Sequence, residues 1–275
     1  MSDNRVFISA DIEGVAGVAT NLQTNNGAEQ FQEGRDLMTR EVNAAVAGAF
    51  EGGATDVVVC DSHFSMQNLI PTRLDERATL VRGAMRDSLQ MEGLDGSFDA
   101  VFITGTHARA GTLNAVLDHT WNGATIYDLR ISGQIANEAY LNALVAGRFG
   151  VPVCLVTGDE ATVSQIREYL PDTLAVAVKV GRGRGVAISL HPDEACRRIR
   201  KAAADAVRNR EQIRPLAVPD PMVMEIDYFR SDMAQTAALV PGVERTGPRS
   251  IRVKADPDTM FRLQELLVYR LRYEF

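Results

Sequence analysis

Three short apolar runs, each followed at once by acidic or histidine side chains, constrain the fold more than any other feature of this chain. The runs span residues 6–10, 57–60 and 101–104. Apolar runs of this length, bounded by turn residues and separated by helical patterns, are typical of buried strands in a parallel sheet. Because ligands collect at the carboxyl ends of such strands, the polar side chains that follow the three runs are expected to meet at one edge.

Strand-like and helix-like segments alternate along most of the chain. This pattern predicts an α/β fold with a mostly parallel sheet flanked by helices, followed by a smaller α+β C-terminal unit. The proline-rich segment 214–221 predicts the boundary, giving domains of residues 1–213 and 214–275, with the irregular segment 62–98 packing against the second unit. The main helices are expected at 31–53, 135–146, 160–169, 189–210, 231–240 and 256–273, and the later strands at 79–81, 125–131, 151–156, 174–179, 222–228 and 250–254.

Composition argues against several classes of partner. The chain carries 36 acidic and 29 basic side chains, a net charge of −7, which is unfavourable for binding nucleic acid or an anionic membrane. The N-terminal residues lead directly into an apolar strand without a signal-peptide pattern, and no stretch is long enough to span a bilayer. Three cysteines are an odd number typical of reduced thiols. We therefore predict a cytoplasmic protein that acts on small molecules or peptides.

The side chains after the three apolar runs are of the types that bind transition metals. Asp11 and Glu13 lie two residues apart, so they would point to the same side of an extended chain. His63 and His107 follow the other two runs, and Asp61 is expected to accept a hydrogen bond from the second ring nitrogen of His63. Each residue alone could equally cap a turn. Together the mixed imidazole and carboxylate set favours zinc, with manganese, cobalt or iron(II) as alternatives.

Three further residues are candidates with more than one interpretation. Glu138 begins a predicted helix, where it could be a fifth ligand or could simply complement the positive helix end. His119 lies on no predicted strand and is a candidate acid/base group, or a loop histidine without a catalytic role. Arg109 lies in a glycine-containing loop whose N–H groups could face an anion, or it could form a structural ion pair. Five ligands exceed one tetrahedral zinc site, whereas two metals sharing a carboxylate would use them all.

Four segments together resemble a known family. They are 10–17 (ADIEGVAG), 61–63 (DSH), 105–112 (GTHARAGT) and 137–143 (NEAYLNA). They are similar to the zinc-dependent D-aminopeptidase family, also called the dipeptide transport protein A family, and the similarity runs over nearly the whole chain. The chain departs from the family pattern at Leu113 and Asn114, which replace proline and glycine, and at Asn137, which replaces a glycine.

The resemblance implies a specific assignment of the site. It implies that Asp11, Glu13, His63, His107 and Glu138 hold two zinc ions per subunit, with Asp11 bridging them, and that His119 acts in catalysis. It also implies a homodecamer whose active sites face an interior channel that admits only short peptides. The departures flank the site, so they bear on substrate preference more than on metal binding.

The residues predict a metal-dependent hydrolytic centre, and the resemblance implies that it belongs to a dinuclear zinc aminopeptidase that releases N-terminal amino acids, D-residues in particular, from short peptides. Two metals about 3.5–4 Å apart would generate a bridging hydroxide near neutral pH and polarise the scissile carbonyl. One alternative is a metal-dependent amidohydrolase that acts on a non-peptide amide. Another is a peptide-binding transport component, which would not need a hydrolytic two-metal site.

Overall fold

The larger of two β-sheets contains seven strands and is parallel except at one edge. The computed structural model describes residues 4–269. The strands of this sheet lie in the order β3-β2-β1-β4-β7-β8-β9, and only β9 is antiparallel to its neighbour. Their bounds are β1 Arg5–Ala10, β2 Asp56–Asp61, β3 Ala78–Val81, β4 Ala100–Thr106, β7 Val153–Asp159, β8 Leu174–Gly181 and β9 Ala187–Ser189.

The strand order changes direction between β1 and β4. The chain builds outward from β1 through β2 to β3, then returns to the other side of β1 and builds outward through β4, β7 and β8. In open α/β sheets, the loops at the carboxyl ends of strands diverge at such a point and leave a crevice. The three apolar runs are β1, β2 and β4, so the residues that follow them lie around this crevice.

Helices cover both faces of the parallel sheet. Alternate residues of β1 point in opposite directions. Ile8 packs with the helices at Phe31–Gly52 and Pro192–Arg208, while Phe7 packs with the second sheet and the helix at Glu138–Arg148. The helices are α1 Asn21–Thr24, α2 Phe31–Gly52, α3 Glu138–Arg148, α4 Glu160–Tyr169, α5 Pro192–Arg208, α6 Ser231–Ala237 and α7 Pro257–Tyr269. Within residues 4–269, none of these helices has the length and apolar character needed to cross a membrane.

The second sheet has five strands in the order β11-β12-β10-β5-β6 and is antiparallel. Its strands are β5 Ile126–Ile131, β6 Gln134–Ile135, β10 Met222–Tyr228, β11 Val243–Arg245 and β12 Ser250–Ala255. The predicted C-terminal unit therefore forms an α+β layer, but β5 and β6 join it from residues before 214. Leu89 and Met91 of the irregular segment belong to the same apolar cluster as this sheet. The division between residues 213 and 214 stays a prediction.

Candidate metal centre

Backbone hydrogen bonds hold the loop after β1 against the end of β4. The N–H groups of Asp11 and Gly14 donate to the carbonyl oxygens of Thr104 and Gly105, at 2.9 and 2.7 Å. A Cβ atom at Gly14 would lie 1.9 Å from the carbonyl oxygen of Thr106, so only glycine allows this approach. The contact brings the chain that carries Asp11 and Glu13 beside His107, which directly follows Thr106.

The His63 ring is fixed with one nitrogen towards a carbonyl and the other towards two carboxylates. Its Nε2 atom lies 3.0 Å from the carbonyl oxygen of Thr24. A carbonyl can only accept, so Nε2 carries the proton in the neutral ring and Nδ1 carries a lone pair. That lone pair faces Asp11 Oδ1 at 3.2 Å and Glu13 Oε2 at 3.0 Å. Three acceptors pointing at one another require a proton or a metal ion between them.

His107 repeats this arrangement on the other side of Asp11. Its Nδ1 atom lies 3.1 Å from the carbonyl oxygen of Ala108. Its Nε2 atom faces Glu138 Oε1 at 3.2 Å and Asp11 Oδ2 at 3.5 Å. The two carboxylate oxygens of Asp11 therefore face different histidines, which is the geometry expected of a carboxylate shared by two metal ions.

His119 stacks on His107, with ring centroids 3.9 Å apart. Its Nδ1 atom lies 2.8 Å from the carbonyl oxygen of Leu117, and its Nε2 atom lies 3.7 Å from Glu138 Oε1. The side chain of His119 is 18% exposed and lines a cavity, whereas that of His107 is 1% exposed and lies beneath it. His119 is thus the imidazole beside His107 that a molecule in the cavity can reach.

Burial makes the ionised carboxylates of this cluster unfavourable unless protons or a cation balance their charge. Burial and the neighbouring charge of Glu13 raise the pKa of Asp11 to about 8. Burial also opposes ionisation of Glu13, but the His63 imidazole outweighs it and holds the pKa of Glu13 well below its usual range. Burial opposes protonation of His107, yet the Glu138 charge raises the pKa of His107 to about 10. Near neutral pH Asp11 therefore keeps its own proton, and the charges of Glu13 and Glu138 are balanced by protons on His63 and His107.

The donor set fits zinc. Ligand atoms of Asp11, Glu13 and His107 lie within 4.8 Å of one another, and so do those of His107, His119 and Glu138. Glu13 Oε2 is buried and has no hydrogen-bond donor of suitable geometry. Imidazole nitrogens fixed by backbone carbonyls and facing buried carboxylates are typical of metal ligands. A metal ion would replace the protons and satisfy this oxygen.

Two residues predicted to assist the site have other contacts. Asp61 does not receive the second nitrogen of His63, since the carbonyl of Thr24 occupies that position. Its carboxylate instead accepts from the backbone and side chain of Asn68, whose side chain also donates to the carbonyl of His63. Asp61 therefore shapes the loop that carries His63. The reason is that β2 ends at Asp61 and His63 lies in the bend that follows, so the two side chains do not share a face as they would in an extended strand.

Arg109 does not line the cavity and lies near Tyr169 instead. The N–H groups of this loop are also occupied. Those of Arg109, Ala110 and Gly111 donate to the side chains of Gln165, Thr120 and Asp118. The loop after His107 is thus a structural turn, and these three N–H groups are bonded to the protein and are not available to a ligand.

Asn137, which departs from the family pattern, caps helix α3. Its side-chain oxygen accepts a hydrogen bond from the N–H of Tyr140 at 2.8 Å.

Several residues that hold the ligands have no recognisable signature in the sequence. Gln90 donates a hydrogen bond from its side-chain amide to Glu138 and accepts another from Asn142. The backbone N–H of Trp121 donates to the other oxygen of Glu138 at 2.7 Å. Lys179, on β8, donates to the carbonyl oxygen of Glu13. A buried lysine in an apolar strand is a signal that could have been noticed, whereas the contact of Gln90 depends on a long irregular loop.

Comparisons with known proteins identify the family of this chain. The model of the family described as D-aminopeptidase matches residues 4–266. A D-aminopeptidase from Bacillus subtilis (strain 168) is 34% identical over 268 residues, which cover 96% of this chain and 96% of that protein. The solved structure of the Zn-dependent D-aminopeptidase DppA from Bacillus subtilis, a self-compartmentalizing protease, matches with a TM-score of 0.94 at 32% identity, covering 98% of this chain and 99% of that chain. This chain therefore belongs to the D-aminopeptidase family.

Proposed function

We propose that this protein is a zinc-dependent aminopeptidase that releases N-terminal D-residues from short peptides. The observation that carries the proposal is the set of imidazoles fixed by backbone carbonyls and aimed at buried carboxylates beneath a cavity. The family is one of D-aminopeptidases, and the matching structure is that of a Zn-dependent enzyme. Both the residues and the relatives therefore support metal-assisted hydrolysis.

The proposed ligands form two groups that share Asp11. One group contains Asp11 Oδ1, Glu13 and His63, and the other contains Asp11 Oδ2, His107 and Glu138. This division supports two zinc ions per subunit with Asp11 as the bridge. When bound, such a pair lowers the pKa of a shared water, so that hydroxide is available near neutral pH, and polarises the scissile carbonyl.

His119 is the proposed catalytic side chain. Its Nδ1 atom is tied to the carbonyl of Leu117, which fixes the ring and leaves Nε2 directed towards the cluster. Because Nδ1–H donates to that carbonyl, Nε2 of the neutral ring carries a lone pair and can accept a proton from the attacking water. The imidazolium so formed can then donate to the oxyanion of the tetrahedral intermediate or pass its proton to the leaving amine. Its place at the cavity wall supports contact with the substrate, which the more deeply buried His107 cannot make.

The substrate and the assembly are proposed from the cavity and the relatives. The cavity has a volume of about 810 Å³, which suits a short peptide better than a folded protein. DppA is described as self-compartmentalizing. A homo-oligomer, a decamer by family resemblance, would enclose the sites and exclude long substrates. The predicted setting is the cytoplasm.

The decisive experiment measures amino acid release from D-alanyl and L-alanyl dipeptides by the purified protein, before chelation, after it and after zinc is restored. We expect cleavage of the D-series that is lost on chelation and returns with zinc. Cleavage of the L-series alone would keep the mechanism and overturn the stereospecificity. If neither series is cleaved by the zinc-restored protein, the proposed function is wrong.

A further inference from the structure

The cavity above the metal-binding cluster has one wall that carries positive charge. Of the residues that the structure describes, two arginines line this cavity, Arg86 and Arg184. Side-chain amides line other parts of the wall, where they can pair with a peptide backbone. These amides belong to Asn21, Asn25, Asn26 and Asn122. The two arginines differ in whether their guanidinium groups are available to a ligand.

Arg86 is buried, and two of its three guanidinium nitrogens bond to the protein, whereas Nη2 is buried without a hydrogen-bond partner among the described residues. It is 7% exposed, and its Nη1 atom donates to the carbonyl oxygen of Asp61 at 2.8 Å. Its Nε atom donates to the carbonyl oxygen of Gly83 at 2.5 Å. These bonds join the segment before Gln90 to the end of β2. Arg86 is therefore mainly a structural residue of the cavity lining, with little of its surface open to a ligand.

Arg184 presents its guanidinium to the cavity with a weak protein partner. Its side chain is 53% exposed, and its nearest carboxylate oxygen, that of Asp118, lies 3.7 Å from Nη1. This separation exceeds a hydrogen bond. Asp118 is also occupied, since its other oxygen accepts from the N–H of Gly111 at 2.8 Å. An exposed pair of this length contributes little, so an incoming carboxylate can compete for the guanidinium.

The position of Arg184 is linked to that of His119. The N–H of Leu117 donates to the carbonyl oxygen of Arg184 at 2.8 Å, and the carbonyl of Leu117 receives His119 Nδ1. A Cβ atom at Gly123 would lie 3.1 Å from His119 Cβ and 3.7 Å from Arg184 Nη2. The guanidinium and the imidazole therefore lie beside the same glycine on the wall of the cavity.

We infer that Arg184 binds the C-terminal carboxylate of the peptide substrate and so selects very short peptides with a free carboxyl end. The inference rests on the proposed function. Arginine matches a carboxylate with two parallel N–H donors, a geometry that lysine lacks. A carboxylate is itself a metal ligand, so a separate cation on the wall favours the orientation in which the amide, and not the carboxylate, faces the cluster.

The test compares D-alanyl-D-alanine with D-alanyl-D-alaninamide, which lacks the terminal charge. The measured quantity is kcat/KM for the acid divided by kcat/KM for the amide, in the zinc-loaded protein and in Arg184→Gln. We expect this ratio to fall on the order of tenfold, mainly through a higher KM for the acid, because one charge-assisted contact is lost. Arg184→Lys should recover part of the ratio.

Arg182→Gln is the matched control, since Arg182 is an exposed arginine of the same loop that does not line the cavity. It should leave the ratio at its original value. An equal loss on the acid and the amide in Arg184→Gln, or no loss on either, would overturn the role of Arg184 while the aminopeptidase activity stands. If the unaltered protein cleaves neither peptide, the proposed function itself fails, and the inference fails with it.

Discussion

At the scale of single residues, the centre depends on polar groups that are buried and held by the backbone. Lys179 shows this most clearly. Its Nζ atom donates to the carbonyl oxygens of Glu13, Val15 and Val18, and these three bonds fix the loop after β1. Glu41 lies nearby and accepts from the N–H of Ala16 at 2.8 Å. These charges hold the shape of a loop that carries two proposed ligands.

The proposed roles of the histidines and Asp11 can be separated by measuring the zinc content and the activity of each variant. His119→Ala should keep its zinc but lose turnover by a factor of about 10²–10⁴, the usual effect of removing an acid/base group. Asp11→Ala and His107→Ala should lose zinc together with activity. Zinc per chain by plasma mass spectrometry and kcat on a D-alanyl dipeptide give both readouts. Normal turnover in His119→Ala, or full zinc content in Asp11→Ala, would contradict the respective assignment.

Glu41 should make stability depend on pH. Burial, opposed by the Ala16 hydrogen bond and by Lys179, raises the pKa of Glu41 from 4.5 to about 7. The folded protein thus keeps a proton that the unfolded chain loses above pH 4.5, so the free energy of unfolding falls between pH 4.5 and 7, by about 3 kcal/mol.

Glu41→Gln removes this titration and keeps an oxygen for Ala16. Urea unfolding at several pH values should show the variant gaining stability relative to the original protein as pH rises through that window. The difference between the two proteins is the relevant quantity, because the pH dependence of all other groups cancels in it. A difference that stays constant from pH 4.5 to 7 would show that Glu41 has an ordinary pKa.

At the scale of elements, the close approach of the loop after β1 to the end of β4 decides where the ligands meet. Gly14 lies against the carbonyl of Thr106, and Gly105, with φ of 65°, lies against the carbonyl of Asp11. At both glycines the neighbouring carbonyl leaves no room for a Cβ atom, so a larger residue would force the backbone to shift. The positions of the proposed ligands Asp11, Glu13 and His107 therefore depend on the pairing of two adjacent parallel strands.

Gly14→Ala should disturb the fold and the metal site together. The added methyl group would meet the carbonyl of Thr106, which is backbone and cannot rotate away, so the loop must shift. We expect a loss of about 1–3 kcal/mol in the free energy of unfolding, the usual effect of overpacking, and weaker zinc binding.

Gly96→Ala is the control for this substitution, because a Cβ atom there makes only an ordinary contact, 3.6 Å from the carbonyl of Phe149. Thermal unfolding and zinc titration of the metal-depleted proteins measure both effects. Gly14→Ala with the stability and zinc affinity of the unaltered protein would show that the loop can move without cost.

At the scale of the whole molecule, the cavity is assembled from loops at the end of the parallel sheet, from the start of α3 and from the end of the described chain. The proposed ligands come from the ends of the parallel strands and the start of α3, and Glu265 and Tyr269 of α7 also line the cavity. The hydroxyl of Tyr269 donates to the carbonyl of Trp121, in the segment that carries His119. Phe64, which is 73% exposed, lines the same cavity.

The assembly can be tested directly. Size-exclusion chromatography with light scattering should give a mass several times the 30.0 kDa of one chain. If the sites face an enclosed space, kcat/KM should fall steeply as D-alanyl peptides lengthen, since longer chains enter less readily. A monomer that cleaves long and short peptides equally well would contradict enclosure.

Sequence patterns were sufficient for most elements because local periodicity reflects burial. The predicted helix at 160–169 and strand at 222–228 match α4 and β10 to the residue, and the predicted helix at 31–53 differs from α2 by one position. The predicted helix at 135–146 begins instead at Glu138, where Asn137 caps it, and residues 134–135 form β6. The predicted end of the last helix, 270–273, lies outside the described residues.

The sequence by itself determined the alternation of strands and helices, the polar residues at strand ends and the likeness to a family. Only the tertiary structure decided that β5 and β6 pair within the second sheet, that Thr24 and not Asp61 fixes His63, and that Arg184 and not Arg109 reaches the cavity. The physical reason is one of range. Burial is visible in the pattern of neighbouring residues. Contacts with backbone carbonyls and close approaches of loops join segments that are distant in sequence, and they do not depend on the type of residue that supplies the carbonyl.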